Sequence, residues 1–247
     1  MKKIALSVFL MLIWVGASVI VSQLIIGYTM VAILGPETFS QAVWTALYSA
    51  LSYLLALVLI IFVPKLIKKQ KETKKKKGVS ERVELGLRGL PTWTDIGLAP
   101  VGFIVYLIAA AALSAIFMLF PWFNAEEVQE VGFSVYAVGT SRLIAFLTLV
   151  VVAPIAEEII FRGWLYGRMR KKLGEKVSDR TSMIVSMLLV SLLFGIVHLQ
   201  WNVGVNVFAM SVVLCGLREI TGTIYSGILM HMLKNGVAFY LLFILGL

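Results

Sequence analysis

The sequence predicts an all-α protein, a polytopic bundle of seven or eight transmembrane helices, and three observations support this fold class. Of its 247 residues, 60% are hydrophobic and only 14% are charged, and the mean hydropathy of +0.95 is too high for a soluble domain. Several apolar stretches are long enough to cross a hydrocarbon core of about 30 Å. The basic residues cluster in a few segments between these stretches. We therefore expect residues 1–247 to form a single integral membrane domain.

The first predicted helix follows Lys2 and Lys3 and runs from Ile4 to about Ile26. A secretory signal peptide is the competing interpretation, but its apolar region is only about 7–15 residues long and ends in a small-residue cleavage site. The stretch here is longer and lacks such a site. We therefore expect it to remain in the protein as a transmembrane helix.

Six or seven further helices follow along the chain. A turn at Gly35-Pro36-Glu37 precedes the second helix, Pro64 is expected to end it, and Thr94 or Asp95 is expected to cap the third. The predicted helices run from Gln41 to Val63, from about Asp95 to Phe120, from Ser141 to Lys172, from Ser182 to Leu199, from Val203 to Leu217, and from Thr221 onward. The last stretch is one helix or two, depending on whether it breaks at Asn235-Gly236.

The basic residues indicate the orientation of the helices. Residues 65–90 hold a Lys-rich loop with eight lysines between positions 65 and 77, whereas the acidic loop around 126–130 holds no Lys or Arg. With the N-terminus inside, every Lys and Arg except Arg142 and Lys234 falls in a segment assigned to the cytoplasmic side, as the positive-inside rule requires. We predict a multi-pass protein of the cell (plasma) membrane with a cytoplasmic N-terminus. We then expect the protein to interact with the lipid bilayer and not with nucleic acid.

The most unusual sequence is Glu157-Glu158-Ile159-Ile160-Phe161-Arg162, in the fourth predicted helix. Three charged groups at a bilayer centre raise the free energy of membrane insertion by roughly 8–10 kcal/mol. The apolar residues between Leu143 and Ile155 lower it by only roughly 4 kcal/mol. These charges must therefore lie inside the bundle or in a wet cavity. Glu158 and Arg162 are four residues apart and can pair. Glu157 points about 100° away, lacks a local cation and can serve as a general base. Alternatively, both acids merely hold helices together.

The two histidines of the chain, His198 and His231, lie in apolar helical sequence. A rise of 1.5 Å per residue, counted from the cytoplasmic helix ends, places them and Glu157 at similar depths of about 16–24 Å. Asn235 shares a helix face with His231, and a neutral imidazole and an amide are both donors suited to a developing oxyanion. We therefore expect one shared site. Taken singly, each histidine, like Phe194 four residues before His198, is also compatible with packing.

These residues resemble the three motifs of the CPBP intramembrane proteases, the CAAX-protease, bacteriocin-processing or Abi family, which includes the Ras-converting enzyme. The motifs are Glu-Glu-x-x-x-Arg at 157–162, Phe-x-x-x-His at 194–198 and His-x-x-x-Asn at 231–235. The resemblance covers residues 141–235, the expected catalytic core. It implies an endopeptidase in which Glu157 and His198 activate water. His231 and Asn235 would stabilise the oxyanion, with Glu158, Arg162 and Phe194 in support.

The resemblance leaves the role of a metal open. The family has been classed as metalloproteases, whereas the likeness to the Ras-converting enzyme implies a metal-independent, glutamate-dependent reaction. The sequence lacks the His-Glu-x-x-His zinc signature. Catalysis without a cofactor is the favoured expectation. Zinc held by Glu157, His198 and His231 is the alternative.

The predicted function is hydrolysis of a peptide bond in a membrane-associated protein or peptide substrate. One alternative is a non-proteolytic membrane scaffold or bacteriocin-immunity protein that has kept the motifs. Another is a proton-coupled transporter, which the lack of an internal repeat disfavours. The three complete motifs favour the enzyme over the scaffold.

Overall fold

The computed structural model describes residues 2–35, 38–69, 84–125, 127 and 131–246. These residues form helices and no strands, and seven of the helices are long and apolar enough to cross a membrane. The helices are α1 (Lys2–Leu34), α2 (Gln41–Leu66), α3 (Trp93–Phe117), α4 (Gly139–Gly174), α5 (Asp179–Ile196), α6 (Trp201–Thr221) and α7 (Tyr225–Leu245). The predicted all-α, multi-pass fold is confirmed.

Helix α4, which carries the charged motif, is the centre of the bundle. It packs against α1, α2, α5, α6 and α7, while α3 packs against α6 and α7. The core around it contains fully buried apolar side chains such as Leu165, Val190 and Leu214. Large apolar side chains on the outside, such as Phe9, Ile13 and Ile104, are exposed, as expected for a lipid-facing surface. The charges of α4 are therefore inside the bundle, as the cost of inserting them requires.

Helix α2 does not end at Pro64 as predicted. The chain remains helical beyond the proline, and a π-helical turn at Val58–Phe62 precedes it. In a regular α-helix a proline ring clashes with the carbonyl four residues earlier. The wider π-helical turn places these carbonyls differently. Proline is therefore accommodated within the helix.

Thr92 caps α3, in place of the predicted Thr94 or Asp95. The Thr92 hydroxyl accepts a hydrogen bond from the Asp95 backbone N–H at 3.2 Å, and the Asp95 carboxylate accepts one from the Thr92 backbone N–H at 2.9 Å. This is a reciprocal capping box. Asp95 also accepts a hydrogen bond of 2.8 Å from the hydroxyl of Thr223. The start of α3 is therefore tied to the start of α7.

Helix α5 ends at Ile196 rather than at Leu199, and His198 lies in the turn to α6. Leu199 has a φ of 57°, a left-handed conformation that costs a non-glycine residue on the order of 1–3 kcal/mol. Next to this turn, α5 and α6 approach closely. A Cβ atom added at Gly195 would lie only 2.8 Å from the carbonyl oxygen of Gly204. This contact requires glycine. The close contact of the two glycines lies next to the turn that carries His198.

Helix α7 passes through Asn235 and Gly236 without a break. At the other end of the chain, α1 extends to Leu34, beyond the predicted Ile26, because the sequence stays apolar to that point. The other helix bounds differ from the prediction by a few residues. Several predicted features lie outside the described residues: Pro36 and Glu37 of the first turn, most of the Lys-rich loop, and Glu126 and Glu130 of the acidic loop.

Candidate active site

A cavity of about 250 Å³ lies inside the bundle, between α4, α7 and the α5–α6 turn on one side and α1 and α2 on the other. The four residues predicted to be catalytic all line it: Glu157, His198, His231 and Asn235. Three further polar residues line it and were not predicted as site residues: Gln23, Tyr53 and Lys234. The structure therefore brings polar residues from all three motifs to one cavity.

The carboxylate of Glu157 faces this cavity and is held on one side by Tyr53. The Tyr53 hydroxyl donates a hydrogen bond of 2.5 Å to Oε1 of Glu157. On the other side, Nε2 of His231 lies 3.8 Å from Oε2 of Glu157. The Glu157 side chain is 15% exposed, so it is neither sealed off nor open to bulk water. One carboxylate oxygen is fixed, and the other is left for a small ligand.

Glu158 and Arg162 form the predicted ion pair, fully buried behind the cavity. Arg162 Nη1 donates a hydrogen bond of 2.8 Å to Glu158 Oε1, and both side chains are 0% exposed. The pair lies in a π-helical segment, Glu158–Tyr166, and such segments are frequent at functional sites. Neither residue lines the cavity. Their position indicates a supporting role.

Two neighbours pack tightly on this ion pair. The Arg162 guanidinium lies over the ring of Phe194, 4.4 Å from its centroid, a favourable cation–π contact. A Cβ atom at Gly227 of α7 would lie 3.1 Å from Glu158 Oε2. Glu158 Oε2 and the Nε and Nη2 groups of Arg162 have no hydrogen-bond partner among the described residues. The pair therefore depends strongly on its single direct bond.

His198 is oriented by Phe194 through both its backbone and its ring. His198 Nδ1 lies 2.6 Å from the carbonyl oxygen of Phe194, and the two rings pack edge to face at 4.9 Å. A carbonyl only accepts hydrogen bonds, so Nδ1 carries the proton in this arrangement. In the neutral ring, Nε2 then has a free lone pair. His198 is therefore prepared to accept a hydrogen bond from water.

Both ring nitrogens of His231 face carboxylates. Nδ1 lies 3.1 Å from Glu158 Oε1, and Nε2 faces Glu157 at 3.8 Å. Because a carboxylate accepts, Nδ1 carries a proton. From the sequence, His231 is expected to act as an oxyanion donor in its neutral form. With the Nδ1 proton directed at Glu158, however, Nε2 can donate only from the imidazolium form.

Asn235 connects α7 to α4 and still has a free donor. Its Nδ2 donates a hydrogen bond of 2.8 Å to the carbonyl oxygen of Leu149. An amide nitrogen carries two hydrogens, so one N–H remains. Because Asn235 lines the cavity, this N–H can serve a bound group.

The residue types at the site suit zinc, but their placement does not. Glu157, His198 and His231 offer one carboxylate and two imidazole groups, the ligands that catalytic zinc uses. In the described part of the chain, however, no three His, Cys, Asp or Glu side chains are positioned to hold a metal ion together.

The fold and the cavity define a multi-pass helical membrane protein with a carboxylate–histidine site inside its bundle. Residues 139–237 match the family model described as Rce1-like, type II CAAX prenyl endopeptidase Rce1-like. This match supports the CAAX-protease family, and the resemblance based on the three motifs is confirmed over these residues. No curated protein and no solved structure gives a significant match. Gln23 and Tyr53 lie outside the matched residues.

Proposed function

We propose that the protein is an intramembrane endopeptidase that hydrolyses a peptide bond in a membrane-associated, prenylated protein or peptide. One observation carries this proposal: Glu157, His198, His231 and Asn235 meet at one cavity inside the bundle. The segment that holds them matches a family described as prenyl endopeptidases. The family description supplies the substrate class, and the cavity supplies groups for the chemistry.

Glu157 and His198 activate the attacking water in this proposal. Tyr53 holds Oε1 of Glu157, so Oε2 accepts one hydrogen of the water, and Nε2 of His198 accepts the other. Glu157 takes a proton as the water oxygen bonds to the carbonyl carbon of the substrate. When the C–N bond breaks, the same proton passes to the leaving amine. General acid–base catalysis of this kind contributes about 100- to 10,000-fold.

The carbonyl oxygen becomes negatively charged when water attacks, and His231 and Asn235 stabilise that charge. Asn235 offers its second N–H, and the imidazolium form of His231 offers the Nε2 proton. Glu158 accepts from Nδ1 of His231 and so fixes the orientation of the ring, while Arg162 balances the charge of Glu158. Donors fixed in advance inside a dry site are the most effective kind.

We also propose that the reaction needs no metal, since this scheme gives Asn235 a direct role and since the family resemblance favours it. The test is to measure cleavage and bound metal together, in protein stripped with a strong chelator. We expect full activity with far less than one equivalent of metal. Loss of cleavage that one equivalent of zinc restores would contradict the metal-free scheme.

The proposed orientation places the N-terminus and the Lys-rich loop in the cytoplasm of the cell. The described cations support it, because five of them line one cavity of about 600 Å³ at a single end of the bundle: Arg88, Arg168, Arg170, Lys171 and Arg218. Basic residues concentrate on the cytoplasmic side of membrane proteins.

The experiment that tests the proposed function uses the purified protein in liposomes. The probe is a synthetic peptide that ends in a C-a-a-X sequence with a farnesylated cysteine. We expect mass spectrometry to find cleavage at one peptide bond, and much less cleavage of the same peptide without the farnesyl group. Folded protein that cleaves neither peptide would contradict the proposal and favour the scaffold or immunity alternative.

A further inference from the structure

Lys234 places a cation in the active-site cavity that the proposed reaction does not use. It lies on α7, between His231 and Asn235, and it lines the cavity with Glu157 and His198. A lysine inside a membrane span costs about 2.5–3.5 kcal/mol on insertion scales. Such a residue is rarely retained without a function.

Arg162 and Arg170 have carboxylate partners among the described residues, whereas Lys234 has none. Arg162 pairs with Glu158 at 2.8 Å, and Arg170 pairs with Asp179 at 2.7 Å. Among the described residues, no carboxylate oxygen lies within 4 Å of the Lys234 ammonium. The cavity therefore has an ammonium group available for an anion.

We propose that Lys234 binds a carboxylate of the substrate, which makes it a specificity-determining residue; this inference rests on the proposed peptidase function. A carboxylate within about 2.8 Å of the ammonium would form a charge-assisted hydrogen bond in a site that excludes most water. It would also supply the partner that the protein itself does not provide.

The size of the cavity limits where this carboxylate lies in the substrate. A sphere of about 250 Å³ is roughly 8 Å across, the length of about two extended residues. Glu157 and Lys234 line the same cavity, so the carboxylate must lie within about two or three residues of the scissile bond. Two chemical groups meet this requirement: the C-terminal carboxylate of a substrate cut near its end, and the side chain of a nearby Asp or Glu.

The test uses three farnesylated peptides of one sequence. The first has a free C-terminal carboxylate three residues after the scissile bond, the second a C-terminal carboxamide, and the third a carboxamide with Asp two residues after that bond. We expect the wild type to cleave the first peptide with a kcat/KM about 10- to 100-fold above the second, mainly through KM. High activity on the third peptide would show that the site also accepts a side-chain carboxylate.

The variant Lys234→Met keeps the side-chain length and removes the charge. We expect it to cleave the carboxylate and carboxamide peptides at the same low efficiency, while Lys234→Arg keeps much of the preference for the carboxylate. The control is Lys172→Met, because Lys172 pairs with Glu175 at the cytoplasmic end of α4, away from the cavity. This control variant should keep the full preference for the carboxylate peptide over the carboxamide peptide. The melting temperature of Lys234→Met should be no lower than that of the wild type.

Two results would overturn this inference and leave the proposed function intact. One is a wild type that cleaves the carboxylate and carboxamide peptides equally well. The other is a Lys234→Met variant whose kcat/KM falls by the same factor on both peptides. That result would mean that the ammonium stabilises the oxyanion or the fold and does not bind the substrate carboxylate. A wild type that cleaves none of the three peptides would instead contradict the peptidase function itself.

Discussion

The hydroxyl of Tyr53 on α2 donates a hydrogen bond of 2.5 Å to Oε1 of Glu157 on α4. It fixes one oxygen of the proposed general base and leaves the other for water. Tyr53 belongs to neither the three motifs nor the residues that match the family model. The first half of the chain thus contributes directly to the candidate site.

Replacing Tyr53 with Phe should lower kcat while KM stays near its wild-type value. A hydrogen bond to a charged group contributes about 1.5–3 kcal/mol, so we expect a loss of roughly 10- to 100-fold. Tyr48→Phe is the matched control, because Tyr48 is on the same helix but does not line the active-site cavity. Equal rates for the two variants would show that Tyr53 does not position Glu157.

Glu158→Gln should destabilise the fold as well as reduce cleavage. It leaves the Arg162 charge without its carboxylate partner at a position that is 0% exposed, and breaking such a buried pair costs about 3–5 kcal/mol. Glu84→Gln makes the same chemical change at a 45% exposed residue, 3.4 Å from Lys171, where we expect less than about 1 kcal/mol. Denaturant unfolding in detergent measures both. Equal losses of stability would contradict the structural role of the buried pair.

The orientation of the bundle can be tested by cysteine labelling. Cys215 is the one cysteine of the chain and is buried, so the wild type should stay unlabelled. In intact cells, a membrane-impermeant maleimide should label Gln129→Cys in the acidic loop. It should label Lys75→Cys in the Lys-rich loop only after the membrane is permeabilised. The reverse pattern would invert the proposed topology.

Asn235→Ala removes a proposed donor to the oxyanion, so kcat should fall about 100- to 1000-fold. Asn206→Ala is the control, since Asn206 donates to the backbone of its own helix at 3.0 Å and does not line the cavity. Single-turnover cleavage of the farnesylated peptide measures both variants. If both variants lost a similar small fraction of the cleavage rate, Asn235 would not be a donor to the oxyanion.

The sequence predicted the helices and the motif side chains because both depend on local spacing. Long apolar runs determine spanning helices, and the four-residue spacing of Glu158 and Arg162 is sufficient to pair them. The contact of Tyr53 with Glu157 joins residues 104 positions apart, and no local pattern encodes such a distance. The position of His198 in a turn depends on the close contact of Gly195 with Gly204. These features follow from tertiary packing.

Glu157 is the proposed general base of the peptidase, and the decisive substitution is Glu157→Gln. The amide has nearly the same volume and can still accept from Tyr53, but it cannot take a proton from water. The measurement is single-turnover cleavage of the farnesylated peptide by wild type and variant in the same liposomes, with peptide binding and melting temperature as controls. We predict unchanged binding and melting temperature with at least a roughly 1000-fold slower cleavage. Cleavage by Glu157→Gln at the wild-type rate would rule out Glu157 as the general base.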